Sequence, residues 1–332
     1  MTRCAVIGAG AWGTALADLL AVAGHDVRLW AYEPDVVQSI NESHENARFL
    51  KGVRLASSLF ATCEQPEALE RAELVLYATP SNHLRSIARA AASCIQAGAI
   101  IAVASKGIEL GTMALMTDII AAEVPNHAVV ALSGPSFAAE VAARQPTAVV
   151  AASDTPDAAV FVQEAMSGGS FRVYTHDDVV GVELGGALKN VMAVATGILE
   201  GVGLGFNSRA ALITRGLAEM TRLGMSLGAS PATFAGLAGI GDLVLTCTGT
   251  LSRNRTLGVE IGRGKTLEEA RAGKETVAEG VVTCASTIEL AAREGVEMPI
   301  AEMVYRILFD HHPAKLAAQE LMARELRAEQ DA

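Results

Sequence analysis

Apolar residues fall into two regimes that meet near residue 178. Before that point, short apolar runs rich in β-branched residues recur at 3–8, 26–30, 73–78, 99–104, 128–132, 147–151 and 171–174. Runs of this length, bounded by glycine or polar residues, predict buried strands. Helical stretches fall between them, as at 14–23, 82–93 and 155–167. Strands alternating with helices predict a mainly parallel sheet covered on both faces. Beyond 178 the strand signal ends. The pattern predicts helices at 181–199, 208–227, 253–262, 283–294, 299–309 and 314–329, joined by glycine-bearing loops. The expectation is an α/β parallel-sheet domain over 1–178 followed by an all-α C-terminal domain over 179–332.

The first strand runs into glycines 8, 10 and 13, then a helix, then the second strand. That is the G-x-G-x-x-G fingerprint in the βαβ context a dinucleotide site requires. The first glycine makes the tight turn, the second lets backbone N–H groups meet a pyrophosphate, and the third lets helix and strand pack closely. The helix N-terminus favours the anion. Ligands of such sheets lie beyond the C-terminal strand ends. Three polar groups fall there: Thr79 to Ser81, Ser105 to Gly107, and Ser133 to Ser136. Lys106 is a candidate site cation, and Ser136 a candidate N-cap for the following helix.

The stretch at 181–199 has an unusual face. Gly181, Gly185, Lys189, Ala193 and Gly197 recur every four residues, so they share one side of a helix. Each glycine costs about 1 kcal/mol relative to alanine. Something must therefore approach that backbone closely. Two uses fit: a ligand along the stripe with Lys189 reaching into it, or tight helix packing with Lys189 extended to water. Asp242 follows a glycine-rich turn and reads either as a site carboxylate or as a helix N-cap. Ser252, Arg253 and Asn254 open a helix. A capping serine, free first-turn N–H groups and an arginine suit a phosphate, and they equally suit an ordinary capped helix.

Composition narrows the partners. The 332 residues are 51% hydrophobic but only 4% aromatic, which describes a close-packed chain rather than a disordered one. A net charge of −11 with no long basic run argues against nucleic acid and anionic membranes. Five scattered cysteines without metal-ligand spacing suit a reducing compartment, and no cluster suggests a metal. No apolar run approaches the roughly 20 residues of a membrane span. A cytoplasmic protein without membrane insertion is expected, and a homodimer is compatible with it.

In order along the chain, GAGAWGT at 8–14, SGPSFA at 133–138, 181–190, 207–224, LAGIGDLVLTCT at 237–248 and SRN at 252–254 resemble bacterial NAD(P)-dependent glycerol-3-phosphate dehydrogenases. The resemblance implies a Rossmann-type domain followed by a helical domain. It implies reversible hydride transfer between NADPH or NADH and dihydroxyacetone phosphate, giving sn-glycerol 3-phosphate for phospholipid synthesis. It makes Lys189 the catalytic proton donor and acceptor. Lys106, Gly134, Ser136, Asp242, Ser252, Arg253 and Asn254 would contact the phosphorylated substrate. Gly8, Gly10, Ala11, Trp12, Gly13, Tyr32, Lys106, Ala138, Arg253, Val277 and Glu279 would contact the coenzyme. Tyr32 departs from the family, where a basic residue or histidine is expected. The second strand also carries no acid at its tip to bond a ribose 2′-hydroxyl. Use of both coenzymes, with weak discrimination, is therefore expected. Related two-domain enzymes of the ketopantoate reductase or 6-phosphogluconate dehydrogenase kind are the alternative, and a catalytically silent nucleotide sensor is a third reading. The specific blocks and the intact lysine and phosphate residues argue against both.

Overall fold

A computed structural model describes residues 1–273, 278–326, 328 and 329. Among the described residues, eight strands form one sheet: β1 (Arg3–Ile7), β2 (Asp26–Trp30), β3 (Phe60–Thr62), β4 (Leu74–Tyr77), β5 (Ile100–Val103), β6 (Val129–Ser133), β7 (Thr147–Ala152) and β8 (Phe171–His176). Their order is β3-β2-β1-β4-β5-β6-β7-β8. All neighbours pair in parallel except β6 with β7, which is antiparallel. Successive side chains of a strand point to opposite faces, and all four residues of β4 are buried, so both faces are covered there. Six expected strands align with observed ones to within a residue or so, and the seventh, at 171–174, extends to His176. β3 was not expected, because three residues carry no readable period.

The chain packs as two compact units, one of residues 1–106 and 115–183, the other of residues 107–114 and 184–332. The first holds the sheet. Among the described residues the second is helical, with Val179–Val202 leading into it and Phe206–Ser226, Asp242–Thr248, Arg253–Gly262, Glu279–Glu294, Pro299–Phe309 and Ala314–Met322 among those that follow. The last helix was expected to reach 329 but ends at Met322. The Val179–Val202 helix is apolar enough for a bilayer, yet 89% of its most apolar window is buried, which marks it as a core helix.

The small-residue stripe now has its explanation. A Cβ on Gly197 would lie 2.1 Å from the Arg255 carbonyl oxygen, and one on Gly201 would lie 2.4 Å from that of Val259. Reciprocally, a Cβ on Gly258 would meet the Val194 oxygen at 2.2 Å and one on Gly262 the Ile198 oxygen at 2.3 Å. Two helices therefore meet backbone to backbone through four glycines. At Gly197 the stripe serves packing, because the neighbouring helix occupies the space a ligand would need there. Lys189 does not extend to water, being only 8% exposed. Gly197→Ala should push the helices apart and lower stability by about 1–3 kcal/mol, the usual range for overpacking. A lower urea midpoint at unchanged slope would show it; an unshifted midpoint would mean the contact is soft.

Candidate active site

In the first unit, the turn after β1 is built as its glycines require. Gly8 has φ +115°, and a Cβ there would sit 2.8 Å from the Ala78 oxygen. A Cβ on Gly13 would fall 1.8 Å from the Gly8 oxygen, so the Ala11–Val22 helix can lie this close only without one. A Cβ on Gly10 would meet nothing within 4 Å, leaving the backbone open to close approach. Ala11 and Trp12 form the first turn of that helix. The Trp12 Nε1 is buried without a hydrogen-bond partner among the described residues. An open glycine, a helix N-terminus and an unmet donor fit a dinucleotide pyrophosphate. Sequence reasoning missed the support beneath this turn. Asn46 is fully buried; its Nδ2 donates to the Ala9 oxygen and to Thr14 Oγ1, both at 2.8 Å, and its Oδ1 accepts from the Phe49 amide at 2.9 Å. No periodicity marks a lone asparagine in a loop, so nothing in the sequence announced it.

The strand ends bring three candidates together. Lys106 Nζ donates to the Gly134 carbonyl oxygen at 3.2 Å, and Ser136 Oγ donates to the same oxygen at 3.0 Å. Gly134 has φ +141°, and a Cβ there would meet Val149 Cα at 2.9 Å, so β7 holds this turn to glycine. Ser136 is not the expected N-cap. The Ala138–Ala142 helix starts one residue too late for that and has Phe137 at its cap position. Ala138 is thus its first residue. Tyr32 stands apart from this cluster, 80% exposed just beyond the end of β2.

In the second unit, the stripe delivers a charge pair. A Cβ on Gly185 would lie 2.4 Å from the Ala238 oxygen. The missing side chain admits the Leu237–Gly241 segment, which forms one π-helical turn. Such turns often occur at functional sites. It leads directly into the helix beginning at Asp242, and the side chain of Asp242 is turned toward Lys189, one helical turn beyond Gly185. Lys189 Nζ donates to Asp242 Oδ1 at 2.5 Å, with both side chains buried. The N-cap alternative for Asp242 does not hold, since Gly241 occupies the cap position. Thr246 Oγ1 donates to the Asp242 backbone oxygen at 2.7 Å and to its Oδ1 at 3.3 Å. On the same helix, burial pushes the Cys247 thiol up to about 12, which keeps it an inert neighbour of the pair.

Ser252 caps its helix as expected, its Oγ accepting from the Arg255 amide at 3.2 Å. Arg253 beside it is exposed. Asn254 is more committed than the sequence suggested. Its Nδ2 donates to Asn190 Oδ1 at 2.9 Å, and its Oδ1 accepts from the Gly280 amide at 2.9 Å. It ties the residue after Lys189 to the helix that Glu279 opens. Val277, expected at the coenzyme, lies outside the described residues.

These motifs recur in known proteins. Residues 3–159 match the sequence profile described as NAD-dependent glycerol-3-phosphate dehydrogenase N-terminus, and residues 178–319 match that of its C-terminus. The chain belongs to the NAD-dependent glycerol-3-phosphate dehydrogenase family. It is 53% identical over 330 residues to glycerol-3-phosphate dehydrogenase [NAD(P)+] of Geobacter sp. (strain M21), covering 98% of each chain. The crystal structure of the Coxiella burnetii glycerol-3-phosphate dehydrogenase superposes with a TM-score of 0.94 at 41% identity, covering 97% of this chain and 99% of that one. The Saccharomyces cerevisiae enzyme superposes with a TM-score of 0.82 at 26% identity, covering 96% and 98%. Family membership makes the chain an NAD(P)-dependent oxidoreductase with a Rossmann-type domain and a helical C-terminal domain.

Proposed function

We propose that the protein catalyses reversible hydride transfer between NAD(P)H and dihydroxyacetone phosphate, forming sn-glycerol 3-phosphate for phospholipid synthesis. The observation that carries this reading is the buried Lys189–Asp242 pair on a glycine-relieved helix. The Ser252-capped helix end packs on that same helix. Gly8, Gly10, Gly13, Ala11 and Trp12 would hold the pyrophosphate, with Tyr32, Lys106, Ala138, Arg253, Val277 and Glu279 completing the coenzyme contacts. When bound, the reduced nicotinamide supplies the hydride. As the carbonyl carbon is reduced, negative charge grows on its oxygen. The Lys189 ammonium stabilises that charge and delivers the proton. Asp242 fixes the direction of the ammonium. The phosphate is met by the first-turn amides after Ser252 and by Arg253, whose fork geometry suits phosphate oxygens. Asn254, Lys106, Gly134 and Ser136 complete the substrate contacts. In this reading residues 1–178 form the dinucleotide-binding domain and 179–332 the helical substrate and catalytic domain. A cytoplasmic location and a homodimer complete it.

The test is substrate choice, followed by nicotinamide absorbance. The protein should oxidise NADH or NADPH with dihydroxyacetone phosphate and leave dihydroxyacetone nearly untouched. Equal turnover of the unphosphorylated ketone would remove the phosphate assignment. Turnover of ketopantoate alone would move the chain's activity to that of the ketopantoate reductases.

A further inference from the structure

The tip of β2 lacks both usual signals for the adenosine ribose. Ala31 is buried, Tyr32 carries no charge, and Glu33 would repel a 2′-phosphate. The structure supplies a cation there from a different segment. The loop after the Pro34–Ser43 helix turns back and makes contact at two places. At residue 46 it is bound to the glycine turn, through the Asn46 bonds to Ala9 and Thr14. At residue 48 it meets the chain just beyond the β2 tip, where the Arg48 guanidinium lies 3.5 Å from the Asp35 carboxylate. The three residues 46–48 therefore bridge the pyrophosphate turn and the strand tip. In a βαβ nucleotide fold the adenosine ribose occupies that interval. Arg48 is also steered by Phe49, whose ring centroid is 5.2 Å from its Cζ.

We propose that Arg48 is the residue that reads the coenzyme's 2′ position, exchanging Asp35 for the 2′-phosphate of NADP(H). The inference rests on the coenzyme site proposed above. The Asp35 pair is long and solvent-facing, with side chains 36% and 65% exposed. Such pairs contribute little, so the exchange is cheap. A phosphate dianion offers a guanidinium two parallel charge-assisted bonds, stronger than the distant Asp35 contact. Asp35 then acts as a weak competitor that lowers NADP(H) affinity without touching NAD(H), which accounts for dual use without an acid at the strand tip.

Calorimetric titration of the full-length protein with NADP⁺, NAD⁺, adenosine 2′,5′-bisphosphate and 5′-AMP tests this without turnover. Arg48→Ala should weaken NADP⁺ and the bisphosphate by about tenfold or more, the worth of one charged hydrogen-bonding group. NAD⁺ and 5′-AMP should bind as in the wild type. Asp35→Asn should tighten NADP⁺ and leave NAD⁺ alone. Equal weakening of all four ligands by Arg48→Ala would overturn the proposal, because Arg48 would then only hold the loop. Unchanged NADP⁺ binding in Arg48→Ala would overturn it too. A wild type that bound none of the four would instead remove the underlying nucleotide site.

Discussion

Lys189→Met should lower kcat by about 10²-fold or more while leaving coenzyme binding near normal. Methionine keeps most of the lysine stem's volume, so the helix should still pack where Lys189 is 8% exposed. What is lost is the ammonium and its proton. An ammonium that met substrate and transition state equally would change KM alone. Charge on the carbonyl oxygen develops only along the reaction, so the loss should fall on kcat and on kcat/KM together. The measurement is steady-state kinetics with dihydroxyacetone phosphate, paired with NADH titration to show the site is intact. A kcat near wild type would mean that the charge pair serves packing and that the proton comes from elsewhere.

Much of this arrangement was legible before any coordinates, and the illegible part has a physical cause. Strands buried on both faces read as unbroken apolar runs, which is why β4 and β5 were visible; β3, with three residues at the sheet edge, was not. The glycine stripe announced that something approaches the helix backbone. It could not say what, because the approaching groups come from about fifty or more residues downstream. They are the Leu237–Gly241 turn against Gly185 and the Arg253–Gly262 helix against Gly197 and Gly201. The two uses considered for the stripe also prove to be linked. Packing at Gly185 is what brings Asp242 to Lys189, so small residues without a ligand still shape the site. The capping chemistry was readable at Ser252, where a polar residue begins a long helix, and misleading at Ser136, where the helix starts later. Asn46 gave no signal and Arg48 could not be placed, since loop residues take their meaning from distant partners.

Asp242→Ala should destabilise the protein by about 3 kcal/mol or more, because it leaves a buried cation without its counter-charge. Asp242 is fully buried and Lys189 nearly so, so water can do little to replace the lost oxygen. The decisive comparison is the double variant Lys189→Met/Asp242→Ala. If the penalty comes from the stranded ammonium, removing that ammonium should return a good part of the stability, even though two residues are now changed. Lys189→Met alone should also destabilise, since it strands the Asp242 carboxylate in place of the ammonium. Thr246 Oγ1, already 3.3 Å from Oδ1, would remain beside it. Urea unfolding of the four proteins gives the interaction energy as the departure from additivity. Strict additivity would mean that the 2.5 Å contact between Lys189 and Asp242 contributes nothing beyond the separate packing of each side chain, and that the pair is not the coupled unit the proposed proton transfer requires.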